Sequence, residues 1–172
     1  MINAGPNTIL RALEPSDLTV LHQWENNSLL WHLSYGKQPL SKAVLRNYIN
    51  AASSTLQEAG QLRLVVEHKG IPVGAVDLYD YDPVARKAGL GILIDTQNQQ
   101  RGLGKEALKA MLTYAHEHLG LHQVYAHIPV SNAASIALFE STGFKIAGSL
   151  EDWLWNSGDF EAAHIYQYLL HG

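Results

Sequence analysis

The sequence predicts an α/β domain built on one mixed sheet, and three observations predict it. Short β-rich runs alternate with stretches of helical period. The longest helical stretch, Leu103 to Leu119, keeps its apolar residues on one face. The chain closes on two β-rich runs joined by Asn156-Ser157-Gly158-Asp159. Strands that alternate with amphipathic helices bury their apolar faces by packing helices onto a sheet.

Thr8 to Leu13 reads as the first strand. Glu14-Pro15-Ser16-Asp17 starts a helix that carries Leu18, Leu21, His22 and Trp24-Glu25 at helical spacing, and Asn26-Asn27 and Gly36 break it. Pro39-Leu40-Ser41 opens a second helix with Val44, Leu45, Tyr48, Ile49 and Ala52 on one face. A meander follows: Leu62–Glu67, the turn His68-Lys69-Gly70-Ile71-Pro72, Val73–Tyr81, the connection Asp82 to Lys87, and Leu90–Ile94. Alternation along Val73–Tyr81 sets Val73, Ala75, Asp77, Tyr79 and Tyr81 on one face, and Val76, Leu78 and Asp80 on the other. Leu103, Ala107, Leu108, Met111, Leu112, Ala115 and Leu119 then form one helix stripe, closed by Gly120. Val124–Ile128 is a strand, and Ser131 or Asn132 caps a short helix that Gly143 stops. Ile146–Trp155 and Glu161–Leu170 make a closing hairpin. The expected order is β-α-α-β-β-β-α-β-α-β-β in a single domain, residues 1–172.

Composition narrows the function classes. At 172 residues the chain is one domain's worth of core. Twelve basic against 16 acidic residues give a net charge of −4, which leaves no electrostatic footprint for duplex nucleic acid. The absence of cysteine excludes disulfides, thiolate metal sites and a thiol nucleophile. Neither a signal peptide nor a membrane span is expected, so the protein is read as cytoplasmic. The nine histidines form no metal set: His116-Glu117-His118 lacks the H-E-x-x-H spacing, and Gly120 separates His118 from His122. They read as surface or packing residues. Trp24, Trp31, Trp153 and Trp155 read as core or interface residues, and a homo-oligomer is expected.

The chemistry concentrates where a strand runs through a glycine loop into the long helix, Gly91 to Lys105. Backbone N–H groups at a helix start have no intrahelical partner, and with the helix dipole they attract anions. Gly102 and Gly104 let a phosphate approach the backbone, while Arg101 and Lys105 add positive charge. Gly102-Leu103-Gly104-Lys105-Glu106-Ala107 also fits the dinucleotide fingerprint in its alanine form. However, Tyr125-Ala126-His127-Ile128 stands where the ribose-binding acid belongs, and a P-loop would need an earlier glycine.

Gln99-Gln100-Arg101-Gly102-Leu103-Gly104 has the form Q/R-x-x-G-x-G/A and resembles the pyrophosphate loop of the GNAT acetyltransferase superfamily. Asn132 to Phe144 resembles the same family's N-x-x-[SA]-x-x-L-[YF]-x-x-x-G-F helix, in the family's order. Leu10 to Leu18, Trp24-Glu25-Asn26-Asn27, Val73 to Leu78 and Ala88 to Ile94 are similar to the branch containing spermidine and ribosomal-protein N-terminal acetyltransferases.

The resemblance implies a GNAT fold and transfer of an acetyl group from acetyl-CoA to a primary amine by direct attack in a ternary complex. The acceptor would be a polyamine-like small molecule or a peptide N-terminus. Leu93 and Ile94 would offer backbone groups to the pantetheine arm. Gln99, Gln100, Arg101, Gly102, Leu103, Gly104 and Lys105 would hold the pyrophosphate, and Asn132, Ser135 and Phe139 would contact the cofactor. No metal is implied.

Two positions depart from the family's pattern. Its fourth-strand carboxylate falls on Gly89, and its tyrosine acid falls on Phe139. A primary alkylamine is neutral in only about one molecule in 10³ at pH 7, so the proton must go somewhere. Asp77, Asp80 and Glu67 are candidate bases, with Asp77 favoured. Tyr125, Tyr166 and water are candidate acids. Asp77, Tyr79, Asp80 and Glu25 are candidate acceptor-binding groups, by charge and cation–π contact; the acidic run from Asp77 to Asp82 reads equally as a solvated strand end. Ser34-Tyr35-Gly36-Lys37-Gln38 stands where spermidine enzymes carry an acidic cluster. Gly89 and Phe139 also admit a second function, an acetyl-CoA-binding module without turnover.

Overall fold

The computed structural model describes residues 1–27, 38–52, 54–156 and 158–170, and these build one eight-stranded sheet. The strands are β1 (Ile2–Gly5), β2 (Thr8–Ala12), β3 (Leu62–His68), β4 (Ile71–Asp82), β5 (Lys87–Ile94), β6 (Gln123–Pro129), β7 (Lys145–Asn156) and β8 (Asp159–Leu169). Their spatial order is β1-β2-β3-β4-β5-β6-β8-β7. The pairs are antiparallel except β5 with β6, which run parallel. The helices are α1 (Leu18–Glu25), α2 (Lys42–Ala51), α3 (Leu56–Ala59), α4 (Leu103–Glu117) and α5 (Ala133–Thr142). The expected order therefore holds, with β1 and α3 added.

Local chemistry explains the element ends. Ser41 caps α2 by accepting from the Val44 N–H at 3.2 Å. Asn132, not Ser131, caps α5, accepting from the Ser135 N–H at 3.1 Å. Gly143 stops α5 at φ 103, a conformation costly for any residue with a Cβ. A capping box between Thr55 and Glu58 starts α3.

Two cores lie on opposite faces of the sheet. On one, the α4 stripe Leu103, Ala107, Leu108, Met111, Leu112 and Ala115 packs with Leu10, Leu64, Val66, Val76, Leu78, Leu90 and Val124. On the other, Leu21 and Trp24 of α1 and Leu45 and Ile49 of α2 cover Val65 and Ala75, with Leu93 beside them. Full burial of one such Leu or Met contributes ~1.5–3 kcal/mol. Val44, expected on the buried face of α2, is 52% exposed. At the start of α1, Asp17 is buried; it accepts two hydrogen bonds from Arg11 and one from the Glu14 N–H, each 2.8 Å.

The strict alternation expected along β4 does not hold. Its pairing with β5 is irregular between Tyr79 and Asp82, where Asp80 adopts φ 49, and its pairing with β3 shifts at Val66–Glu67. An extra residue reverses the facing of everything beyond it. Val73 and Tyr81 thus pack in the α4 core with Val76 and Leu78. Asp77 and Tyr79 keep the opposite face, without Tyr81.

Candidate active site

The parallel pairing of β5 and β6 is short. Among the described residues it joins Lys87 to Gln123, Ala88 to Val124 and Gly89 to Tyr125. Beyond Gly89, β5 pairs on with β4 to Ile94, and β6 pairs on with β8 to Pro129. The two strands splay into a cleft whose inner edges carry backbone groups that need partners. The elongated acyl carrier of a thioester has amides that suit such an edge.

A cavity of about 540 Å³ opens from this cleft. Leu93 and Ile94 of β5, Gln99, Gln100 and Gly102 of the loop, Leu103, Gly104 and Lys105 in the first turn of α4, the α5 cap Asn132 and Ser135 of α5 all line it. Gly102 sits at φ 81 as the residue before α4, so the first-turn N–H groups of that helix point toward the cavity mouth. Gly104 has a packing role as well: a Cβ there would meet Leu138 Cδ2 at 3.2 Å. Gln99 Nε2 donates to the Ile94 carbonyl at 2.9 Å, which engages one backbone group expected to face the pantetheine. Arg101 is outside the lining and donates to Asn98 Oδ1 at 2.7 Å. A bare helix start with small residues and a nearby lysine fits a diphosphate, and the open β5 edge fits the arm beyond it.

Where the strands part, a smaller cavity of about 70 Å³ continues inward between Leu90, Gly91 and Ile92 on one side and His127 and Phe139 on the other. It shares Ile92, Asn132 and Ser135 with the larger one. Phe139 is buried, 3% exposed, with its ring edge-on to Phe144 at 4.8 Å. Tyr166 is turned elsewhere: its hydroxyl donates to Glu140 Oε1 at 2.9 Å. Burial, then that carboxylate, pushes the phenol pKa up.

Position 89 is filled from the side. The Tyr79 ring lies against the Gly89 backbone, and a Cβ there would sit 2.2 Å from Tyr79 Cε2. The same ring meets Tyr125 edge-on at 6.2 Å. The missing carboxylate is therefore a built feature, with a tyrosine in its space.

The acceptor face carries a cluster the sequence did not disclose. Arg63 of β3 donates to both Asp77 oxygens, at 2.7 and 2.9 Å, and to Glu25 of α1 at 2.6 Å. Its guanidinium lies 5.5 Å from the Tyr48 ring of α2. Burial works against the Arg63 charge, but Asp77 outweighs it and holds the guanidinium cationic. Two carboxylates against one cation leave a net charge of −1. Asp77 and Glu25, expected as acceptor-binding groups, are brought together, but through an arginine. Asp80 is exposed. Glu67 pairs with Arg11 at the β2–β3 boundary, away from the cleft. Trp24 is core, whereas Trp153 and Trp155 are 48% and 53% exposed. Trp31 and Ser34 to Lys37 lie outside the described residues.

A family model described as "Acetyltransferase (GNAT) domain" matches residues 7–145. Escherichia coli K12 spermidine N(1)-acetyltransferase is 27% identical over 154 residues, covering 90% of this chain and 81% of that one. The Bacillus subtilis protein named "Putative ribosomal N-acetyltransferase YdaF" is 31% identical over 159 residues, covering 87% and 84%. Among solved structures, spermidine N-acetyltransferase from Vibrio cholerae in complex with CoA and spermine superposes with a TM-score of 0.87 at 25% identity, covering 95% and 96%. Its dodecameric structure in an intermediate state superposes at 0.82 with 28% identity, covering 95% and 94%. The chain belongs to the GNAT acetyltransferase family. It is an N-acetyltransferase that draws its acetyl group from acetyl-CoA.

Proposed function

We propose that the chain acetylates a primary amine whose remaining positive charge is drawn to the cluster of Glu25, Asp77 and Arg63, with Tyr79 and Asp80 near its path. A polyamine-like molecule and a peptide N-terminus both answer that description. The observation that carries the reading is the run of two cavities, sharing Ile92, Asn132 and Ser135, from the glycine loop into the gap between β5 and β6, where the lining residue Gly91 pairs with Asp77 of β4. Gln99, Gln100 and Gly102 to Lys105, with Asn132 and Ser135, hold the diphosphate end, and the β5 edge at Leu93 and Ile94 aligns the arm. Bound there, acetyl-CoA supplies an acyl carbonyl open to attack and a thiolate that leaves. Phe139 walls the reacting end and donates no proton. A thiolate near the cysteine value of ~8.5 can depart without an acid. Asp77 acts in recognition through Arg63, which orients its carboxylate. We further take the whole chain, 1–172, as one domain and the protein as cytoplasmic, and we read it as a homo-oligomer, for which the dodecameric relative is the support.

Mixing the protein with acetyl-CoA and a panel of polyamines, aminoglycosides and N-terminal peptides, and reading free CoA thiol, tests the proposal. Release with at least one primary amine is expected. Tight acetyl-CoA binding with no release across the panel would instead support a module without turnover.

A further inference from the structure

The inner cavity at the splay runs in among Leu90 of β5, Ala126 and Ile128 of β6 and Phe139 of α5, all four buried. Among the described residues, no carboxylate, lysine or arginine lines it. Of its polar lining residues, Asn132 and Ser135 are shared with the larger cavity, and His127 keeps Nδ1 buried. β6 turns Val124, Ala126 and Ile128 into the core, and the shortest of the three stands where the strands part. Pairing of β5 with β6 ends at Gly89 and Tyr125, and Leu90 and Ala126 come next along the two strands. An alanine at that point leaves room that a branched side chain would take. The opposite wall is fixed, because the Phe139 ring packs edge-on against Phe144 at 4.8 Å inside the α4 core. Apolar walls of this kind gain contacts when an apolar group fills the space between them.

The cavity measures about 70 Å³. One water molecule takes up about 30 Å³, so roughly two groups of that size fit. Beyond its carbonyl carbon an acetyl group carries one carbon, a propionyl group two and a butyryl group three. We propose that this cavity receives the acyl tail of the thioester, so that the enzyme transfers propionyl as well as acetyl groups and excludes both longer straight tails and tails that end in a carboxylate. The inference goes beyond acetyl transfer and rests on the reading that places the CoA thioester in the cleft between β5 and β6.

Propionyl transfer needs no reactant that acetyl transfer lacks. The neutral amine nitrogen forms a bond to the propionyl carbonyl carbon, the C–S bond breaks, and CoA leaves as the thiolate. The proton that the nitrogen sheds passes to water or to that thiolate. The extra methylene changes only what fills the cavity. Burying one methylene tightens binding about fourfold, which sets the upper bound on the preference for propionyl-CoA. A third carbon has to displace Phe139 or Ile128 from a packed core, and overpacking reverses the gain. The tail carboxylate of succinyl-CoA would be buried among apolar side chains with no cation beside it among the described lining residues.

Two measurements test this. Calorimetric titration of acetyl-, propionyl-, butyryl- and succinyl-CoA without amine reads where the tail sits, and release of CoA thiol with a panel of primary amines reads transfer. In the wild type, propionyl-CoA is expected to bind at least as tightly as acetyl-CoA and to reach a kcat/KM within about tenfold of it. Butyryl- and succinyl-CoA are expected at least about tenfold below propionyl-CoA in both measurements. Ala126→Val fills the cavity and should lower the propionyl-to-acetyl ratio by about tenfold or more, in affinity and in kcat/KM alike. Ile128→Val takes one carbon from the wall and should raise butyryl-CoA relative to propionyl-CoA; this mild core change keeps the inference falsifiable if Ala126→Val does not fold. A propionyl-CoA kcat/KM more than about tenfold below that of acetyl-CoA, or butyryl-CoA bound and used as well as propionyl-CoA, overturns the inference while acetyl transfer stands. Acetyl-CoA that binds but releases no CoA with any amine overturns the functional reading, and this inference with it.

Discussion

Adding one methyl group at Gly89 should destabilise the protein, and removing Tyr79 should reverse the sign of that effect. The ideal Cβ at Gly89 falls 2.2, 2.4 and 2.6 Å from Tyr79 Cε2, Cζ and Cδ2. Carbon atoms rest at about 3.5–4.0 Å, so the ring must retreat by about 1 Å or more. Tyr125, edge-on at 6.2 Å, stands on its other side. Overpacking of this kind costs ~1–3 kcal/mol. At about 2–4 °C per kcal/mol for a chain of this size, Gly89→Ala should lower the melting temperature by roughly 2–12 °C. In a Tyr79→Ala background the clashing atoms are gone. There the change replaces a strand glycine by alanine, which is neutral or stabilising by up to ~1 kcal/mol. Urea melts of the wild type, both single variants and the double variant close the cycle. The same penalty for Gly89→Ala in both backgrounds would refute the idea that Tyr79 occupies the carboxylate's place. It would also reopen Gly89→Glu as a simple restoration of the family's base.

Asp77→Asn removes the Arg63 ion pair's stronger arm and takes the cluster's net charge from −1 to 0; it should raise the KM of a dicationic acceptor more than that of a neutral-tailed amine, and added salt should shrink the difference. An unchanged KM ratio would move acceptor recognition off this face. Burial raises the Asp17 pKa, but the bonds from Arg11 and the Glu14 N–H outweigh it and leave it below the ordinary value. Its stabilisation is therefore full above the unfolded value of ~3.9 and is lost as pH falls through the lower folded value, so Asp17→Asn should flatten that part of the acid limb in pH-dependent urea melts. Phe139→Tyr puts a phenol in the wall of the inner cavity and should raise kcat by no more than about tenfold, because a thiolate already leaves well; steady-state kinetics that show a fall in kcat at unchanged acetyl-CoA affinity would contradict that wall's assigned part.

What the sequence disclosed was what is encoded locally. The α4 stripe from Leu103 to Ala115, the Asn132 cap and the Gly102–Gly104 loop are each written within a few neighbouring residues, and the cavity lining gathers nearly all of the loop and α5 residues expected there. Contacts between distant strands were not legible. Arg63 meets Asp77 14 residues away and Glu25 38 residues away, and no local pattern pairs them. The bulge at Asp80 breaks a period-2 pattern that Tyr81 otherwise satisfies. β1 offers Ile2 as its one large apolar residue, and the four residues of α3 are too few to show a period.

Calorimetric titration of acetyl-CoA into the wild type, Gly104→Ala and Gly104→Asp tests most directly whether the loop before α4 holds the diphosphate. The alanine adds a methyl group whose one tight contact is Leu138 Cδ2 at 3.2 Å, whereas the aspartate adds a negative charge at the helix start. The account predicts a modest loss for the alanine and a loss of at least a further ~100-fold for the aspartate, since a charge there opposes the ligand's own. Equal affinities for the two variants would contradict it and place acetyl-CoA somewhere other than the cleft between β5 and β6.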